Sequence, residues 1–324
     1  METTMYNTLL NKLNERAMGD EELLRHMEDL LAAHHEKATP IHESRSLSGI
    51  FADNNASWVT PIPPYPIIGT GFNRLDQLTG GFLPGEFVVF GGRPAMGKTQ
   101  FCINMSLFIA RSFPLLYVSW DLPVMVLAKR FLSALTGIAT SRLIRQTLLE
   151  SEVVEIHEKG SALFDTRIMI NDSCASSVSA MRSLCEQEAQ NNGIRVVVVD
   201  YLQLMTASGF RNNREQEICY ITGQLKSIAR DFGLVVIAVS QLSRAPERRS
   251  MSARPILADL RESGSIEQHA DKVLLMYRPE YYGIDVDEYG NSIAGLVEII
   301  VAKNRNDRPG TISLYRDKEM TRFM

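Results

Sequence analysis

The residues Gly92-Arg93-Pro94-Ala95-Met96-Gly97-Lys98-Thr99 fit the spacing G-x-x-x-x-G-K-[ST]. The chemistry of that spacing is phosphate binding: glycines let backbone N–H groups curl around phosphate oxygens, and a helix opening just after the loop adds the positive end of its dipole. Lys98 then reaches the β and γ phosphates and the Thr99 hydroxyl takes a magnesium position. The expected nucleotide contacts are Gly92, Arg93, Pro94, Ala95, Met96, Gly97, Lys98, Thr99 and Gln100, with ATP and Mg2+ as the expected cofactors. A Gly-rich turn that binds nothing is the bland alternative, and the strand-loop-helix context disfavours it.

Magnesium at such a loop also needs a carboxylate at the end of a neighbouring strand. The run Val196-Val197-Val198-Val199-Asp200 supplies four apolar residues and then an acid, which makes Asp200 the expected metal ligand beside Thr99. Hydrolysis further requires a base or water-orienting group, and Asp121, just beyond an apolar run at 115–119, is in the sheet position to project one toward the γ-phosphate. Gln241 follows another apolar run, 234–240, and is placed to sense that phosphate with its amide. In isolation Asp200 would read as a turn aspartate and Gln241 as a loop glutamine.

These groups need a frame. Apolar runs at 86–90, 115–119, 167–170, 195–199, 234–240 and 272–277 read as strands, and helical periodicity at 99–111, 123–135, 176–190 and 214–231 alternates with them. Segments 295–302 and 311–315 read as a closing antiparallel pair. Strands alternating with helices predict an α/β fold with a mainly parallel sheet covered on both faces. Upstream, Tyr6, Leu9, Leu10, Leu13 and Ala17, then Leu23, Leu24, Met27, Leu30 and Leu31, recur at helical spacing and predict two short amphipathic helices. Residues 39–67, with Pro61, Pro63, Pro64 and Pro66, have the composition of an extended linker. The expected organisation is a short helical segment and linker over 1–60 and an ATPase domain over 61–324.

Hydrophobic content of 45% and charged content of 22% exclude wholesale disorder and fibrous repeats. No apolar run approaches a membrane span, and the first twenty residues lack the pattern of a secretory leader, so a chain working inside the cell, with no membrane partner, is expected. Cys102, Cys174, Cys185 and Cys219 form no C-x-x-C pair, and the six histidines fall in no metal-binding arrangement. The net charge of −4 looks wrong for a nucleic-acid protein until it is divided. Residues 1–60 carry ten acids against five bases, which leaves +1 for the remainder. Local clusters then matter: Arg244, Arg248, Arg249 and Arg254 stand against Glu247, and Lys303, Arg305, Arg308 and Arg316 against Asp307. Such loops are usually solvated surface; on an ATPase they become candidates for strand or phosphate contact.

Five stretches together resemble a known family, the DnaB-type replicative helicases, which use a RecA-like motor. They are Ile68-Gly69-Thr70-Gly71-Phe72-Asn73-Arg74-Leu75-Asp76, the phosphate loop, Asp200-Tyr201-Leu202-Gln203-Leu204-Met205, Ser240-Gln241-Leu242-Ser243-Arg244, and Asp259-Leu260-Arg261-Glu262-Ser263-Gly264-Ser265-Ile266-Glu267-Gln268. The resemblance spans 68–316 and implies an RecA-like P-loop core in a hexameric ring that threads single-stranded DNA. It implies ATP-driven translocation with 5′-to-3′ polarity and duplex unwinding in replication. Lys303 and Arg305 would reach the neighbouring subunit's nucleotide as sensor lysine and arginine finger. Loops at 206–214 and 244–254 would line the strand, with Arg261, Glu262 and Gly264 near its backbone. A primase or a helicase loader would be a further partner, and the setting would be the cytoplasm, at the nucleoid.

Two departures stand out. The family has Glu where this chain has Asp121, which withdraws the carboxylate by one C–C bond, and misplacement on the order of 1 Å costs roughly a hundredfold in rate. The family's globular N-terminal domain is also absent from this sequence, and the helix expected at 21–36 could act like the family's linker helix. Because fold does not fix function, another RecA-fold DNA-dependent ATPase and a hydrolysis-impaired nucleotide-binding ring protein stand as alternatives.

Overall fold

Five strands are buried along almost their whole length: β1 (Phe87–Gly92), β2 (Leu115–Ser119), β4 (Val196–Asp200), β5 (Val235–Gln241) and β6 (Lys272–Tyr277). Continuous apolar runs of this kind belong to strands covered on both faces. With β3 (Ile168–Asn171), β7 (Leu296–Asn304) and β8 (Gly310–Tyr315) they form one sheet in the order β3-β2-β4-β5-β1-β6-β7-β8. The pairings from β3 to β6 are parallel, and β7 and β8 close the sheet antiparallel. In this computed structural model, residues 46–49, 66–210, 213–243, 254–260 and 263–324 are described. The amphipathic helices expected before residue 36 lie outside them, as do Arg244, Arg248, Arg249, Arg261 and Glu262. Pro63–Met324 forms one compact unit.

Successive strand residues point to opposite faces, and the core divides accordingly. Val88, Phe90, Tyr117, Val198 and Ile237 face one way, onto α2 (Lys98–Ile109) and α3 (Val124–Thr136). Phe87, Val89, Val199, Val236 and Ala238 face the other way, onto α6 (Val178–Asn192), α7 (Arg214–Asp231) and Ile266 of α8 (Ser263–His269). Further helices among the described residues are α1 (Asn73–Thr79), α4 (Thr140–Arg145) and α5 (Glu150–Gly160).

Helix α2 is buried nearly all round, because the sheet lies beneath it and aromatic rings cover it. Phe101 stacks between Phe72 and Phe90, with ring centroids 4.6 and 4.8 Å away, and meets Phe323 edge-on at 5.4 Å. Truncating such a ring costs about 3–5 kcal/mol, so Phe101→Ala would loosen the helix that follows the phosphate loop.

Element boundaries differ from expectation where local chemistry overrides periodicity. The first strand runs on to Gly92, because Gly91 and Gly92 keep pairing with Ser240 and Gln241. A Cβ on Gly91 would sit 2.8 Å from Leu275 Cδ2, so glycine is there for close packing rather than as a strand breaker. Helix α6 starts two residues late because Ser177 caps it, accepting from Ala180 N at 3.3 Å. Helix α5 has no buried residue, which explains why no apolar stripe announced it.

Candidate active site

The sheet register brings the expected groups to one edge. Ser119 at the end of β2 pairs with Asp200 at the end of β4, and Gly92 at the end of β1 pairs with Gln241 at the end of β5. The carboxyl ends of parallel strands are where ligands of open α/β sheets bind.

Between Gly92 and Lys98 the loop turns through two left-handed residues, Ala95 at φ 61° and Gly97 at φ 100°. Gly97 answers two constraints at once, since a Cβ there would also lie 2.5 Å from Met320 Cε. Lys98 Nζ donates to Arg93 O at 3.0 Å. Burial lowers its amine to about 8, against the pull of Asp200. Asp200 is 4% exposed; burial raises its carboxyl, while hydrogen bonds from Thr99 and Tyr117 and the charge of Lys98 work against that rise. The Tyr117 hydroxyl donates to Asp200 Oδ2 at 3.0 Å. Burial pushes the Cys102 thiol well above its ordinary range, so this neighbour of Lys98 stays protonated, an inert filler.

The donor set suits the expected cofactors. A hydroxyl and a carboxylate are hard oxygen ligands of the kind magnesium takes when phosphates supply further ligands. Among the described residues no cluster of three or more His, Cys, Asp or Glu is arranged for a metal.

Asp121 is exposed on the loop after β2, and its charge reaches Asp200. That loop is pinned: Trp120 N donates to Asp200 O at 3.2 Å, Trp120 Nε1 to Cys174 O at 2.7 Å and Val124 N to Asp172 Oδ2 at 2.7 Å. Gln241 is fixed by Gln203, whose Oε1 accepts from Gln241 N at 3.1 Å and whose Nε2 donates to Ser240 Oγ at 2.9 Å. Gln203 was not singled out from sequence, although it lies in one of the stretches that carry the resemblance.

Arg93 turns away from the loop's opening. Its Nη1 donates to Leu242 O at 3.0 Å, and Leu242 N donates back to Gly92 O at 3.2 Å. A loop contact expected on nucleotide therefore ties the phosphate loop to the segment after Gln241. The outer wall was invisible in the sequence: Arg278 Nη1 donates to Ala95 O and Met96 O at 3.3 and 3.2 Å. Glu280 holds Arg278 and Arg316 together; burial would raise its carboxyl, but hydrogen bonds from both arginines outweigh that and bring it to about 2. Gln100, an expected nucleotide contact, instead donates from Nε2 to Thr321 O at 3.0 Å.

The expected strand contacts fare unevenly. Arg254 pairs with Glu298 and lies over the Tyr277 ring at 5.8 Å, so its charge is balanced within the subunit. Arg214 donates to Met205 O and Gln203 O at 3.1 and 3.0 Å and pairs with Glu217 at 2.6 Å, closing its own loop. Gly264 is exposed in the first turn of α8, with nothing within 4 Å of where a Cβ would stand.

Lys303 and Arg305 lie elsewhere. Lys303 Nζ donates to Glu267 O at 2.5 Å and Ala270 O at 2.6 Å, and Arg305 pairs with Asp271 at 3.1 Å. Asp271 Oδ2 in turn accepts from the N–H of Phe87, the first residue of β1. The pair thus sits at the amino edge of the strands, one strand length from the phosphate loop of the same chain.

The family model described as DnaB-like helicase C terminal domain matches residues 68–324. The chain belongs to that family. A probable replicative DNA helicase of Trieres chinensis is 42% identical over 260 residues, covering 79% of this chain and 56% of the relative. The replicative DNA helicase DnaC of Bacillus subtilis is 37% identical with the same coverage. The chain therefore spans little more than half the length of these relatives. Among solved structures, the ATPase domain of G40P superposes with a TM-score of 0.78 at 30% identity, over 87% of this chain and 99% of that one. A DnaB-like replicative helicase, solved in a study of its interactions with primase, gives 0.78 at 27% identity, over 99% of this chain and 74% of that one. Membership in the DnaB-like family accounts for the sheet as observed, a RecA-like α/β core with mostly parallel strands. No helix among the described residues is long and apolar enough to cross a membrane.

Proposed function

We propose that this chain is the ATP-hydrolysing motor of a DnaB-type replicative helicase, moving along single-stranded DNA as a hexameric ring, 5′ to 3′, and unwinding duplex. One observation carries the reading: the phosphate loop, Asp200 and Asp121 meet at one edge of the sheet, while Lys303 and Arg305 sit at the other. Strand β1 separates them by about 17 Å at ~3.3 Å per residue, which sets those two cations apart from their own chain's phosphate loop and supports a role at the nucleotide of another copy.

In this scheme the phosphate-loop backbone, the start of α2 and Lys98 hold the ATP phosphates. Thr99 and Asp200 would hold Mg2+, which would supply positive charge to the phosphates during hydrolysis. Asp121 orients the attacking water and Gln241 senses the terminal phosphate. Arg305, from the adjoining subunit, stabilises the transition-state charge, so hydrolysis depends on assembly. The loops at 206–214 and 244–254, with Arg261, Glu262 and Gly264, contact the DNA backbone rather than its bases, as a motor indifferent to sequence requires. Relatives that are replicative DNA helicases support replication as the setting, and the primase studied with one solved neighbour supports a primase as partner. A helicase loader as a second partner, and the cytoplasm at the nucleoid as location, follow from the same family reading.

The decisive assay is ATP turnover with and without single-stranded DNA. DNA should stimulate the parent, and Lys98→Ala should abolish turnover. DNA affinity should fall with salt at a log–log slope of about −0.7 per phosphate neutralised. An assembled, ATP-loaded protein that ignores unpaired DNA at low ionic strength would sink the proposal.

A further inference from the structure

Arg305 leaves the end of β7 with its side chain 52% exposed, yet its root is fixed. Its own N–H donates to Asp271 O at 2.9 Å and its Nη1 lies 3.1 Å from Asp271 Oδ1. Asp271 is itself held from every side. Its N–H donates to Phe87 O at 2.8 Å, and its Oδ2 accepts from Phe87 N at 2.8 Å and from Lys226 Nζ at 2.5 Å. Lys226 also donates to Gly85 O at 2.8 Å. Four elements, β1, α7, β6 and β7, therefore converge on one carboxylate that is 4% exposed.

Its two oxygens divide the work. Oδ2 is occupied by Phe87 and Lys226, contacts that join the sheet to α7. Oδ1 faces the guanidinium, and a guanidinium carries five donors, so a single contact to Asp271 leaves others for an outside anion. Residues on either side of Arg305 are tethered in the same way. Lys303 binds the carbonyls of Glu267 and Ala270 at the end of α8. Asn306 Nδ2 donates to Glu86 Oε1 at 3.2 Å, and Glu86 is locked in a buried pair with Lys272 at 2.5 Å. A long, flexible cation is thus given a rigid mount.

We propose that Asp271 is the positioning residue for Arg305, aiming its guanidinium outward from the amino edge of the sheet at phosphates bound by a second copy of this chain. This rests on the reading of Arg305 given under Proposed function. Asp271 touches no nucleotide; it acts by fixing where the guanidinium starts and by restricting its rotamers, so that less freedom is lost when the phosphates are met.

The test is Asp271→Asn. The amide can still accept from Phe87 and Lys226, but it offers Arg305 no charge. In the full-length chain, assembled with ATP, magnesium and single-stranded DNA, kcat should fall at least about tenfold with KM for ATP unchanged, the split for an interaction made in the transition state. The defect should lie in the neighbour's site. Asp271→Asn subunits mixed with Lys98→Ala subunits should regain hydrolysis, and mixed with Arg305→Ala subunits should not. Should Asp271→Asn melt below the assay temperature, Asp271→Glu takes its place, keeping the charge but moving it one bond, with a partial loss of kcat and the same mixing pattern expected. Full kcat in the variant, or rescue by Arg305→Ala subunits, overturns the proposal while leaving the role of Arg305 intact. Full kcat in Arg305→Ala overturns the role of Arg305 itself, and the proposal falls with it.

Discussion

The Tyr117 hydroxyl, buried in the middle of the sheet, donates to Asp200 Oδ2 at 3.0 Å. The bond stabilises the ionised carboxylate against the burial that raises its pKa. Tyr117→Phe removes it, so the Asp200 carboxyl should titrate at still higher pH and the acid limb of the ATPase profile should move upward. Hydrogen bonds to charged groups contribute about 1.5–3 kcal/mol, and thermal unfolding above pH 7 should show a loss within that range. An unchanged pH profile would mean that Asp200 is kept ionised by Thr99 and Lys98 alone.

Lys98 supplies a prediction of opposite sign for stability and activity. Burial holds its amine near 8 in the free protein, so between pH 8 and the usual lysine range the unfolded chain binds more protons than the folded one. Stability from this group therefore rises as pH climbs through that window and is at its lowest below pH 8. Lys98→Met should end turnover while raising the melting temperature at pH 7, by less than the ~3 kcal/mol that the whole shift represents, because Asp200 loses the charge of Lys98. Calorimetry without nucleotide, at pH 7 and pH 10, checks both the direction and its decline at high pH.

Gln203 should matter to catalysis although it is not placed to touch nucleotide. It spans Ser240 and the N–H of Gln241, so Gln203→Ala releases the residue that is to read the terminal phosphate. Displacement on the order of 1 Å at such a residue costs roughly a hundredfold, and kcat should drop further than KM rises in steady-state kinetics. Equal changes in the two would point to weakened nucleotide binding instead.

Asp121 sits on a pinned loop beside Asp200, with a side chain one bond shorter than the glutamate that the resemblance implies there. Asp121→Glu should keep or raise turnover, and Asp121→Ala should remove it, by about 10²–10⁴-fold for a general base. Turnover unaltered in Asp121→Ala would remove that residue from the mechanism.

Much of the fold is legible because burial on both faces writes uninterrupted apolar runs, as at Val196–Asp200 and Lys272–Tyr277. The phosphate loop is legible because glycine and lysine spacing is dictated by phosphate geometry. What escaped notice depends on contacts distant in sequence. Arg278 on the carbonyls of Ala95 and Met96, Met320 against Gly97 and Gln203 under Gln241 leave no periodic mark. Arg254 read as part of an unbalanced basic cluster for the related reason that its partner, Glu298, cannot be seen along the chain. Helix α5, which has no fully buried residue, was not read from the sequence.

With Gly92 at one end of β1 and the seat of Arg305 at the other, a contact joining the two in different molecules is head-to-tail. Made once per pair of molecules rather than twice across a two-fold axis, and repeated, it either closes into a circle or climbs as a helix. Each molecule then has one predecessor and one successor. Any event handed on across that boundary has a sense of circulation built in by strand order, before a polymer is ever engaged.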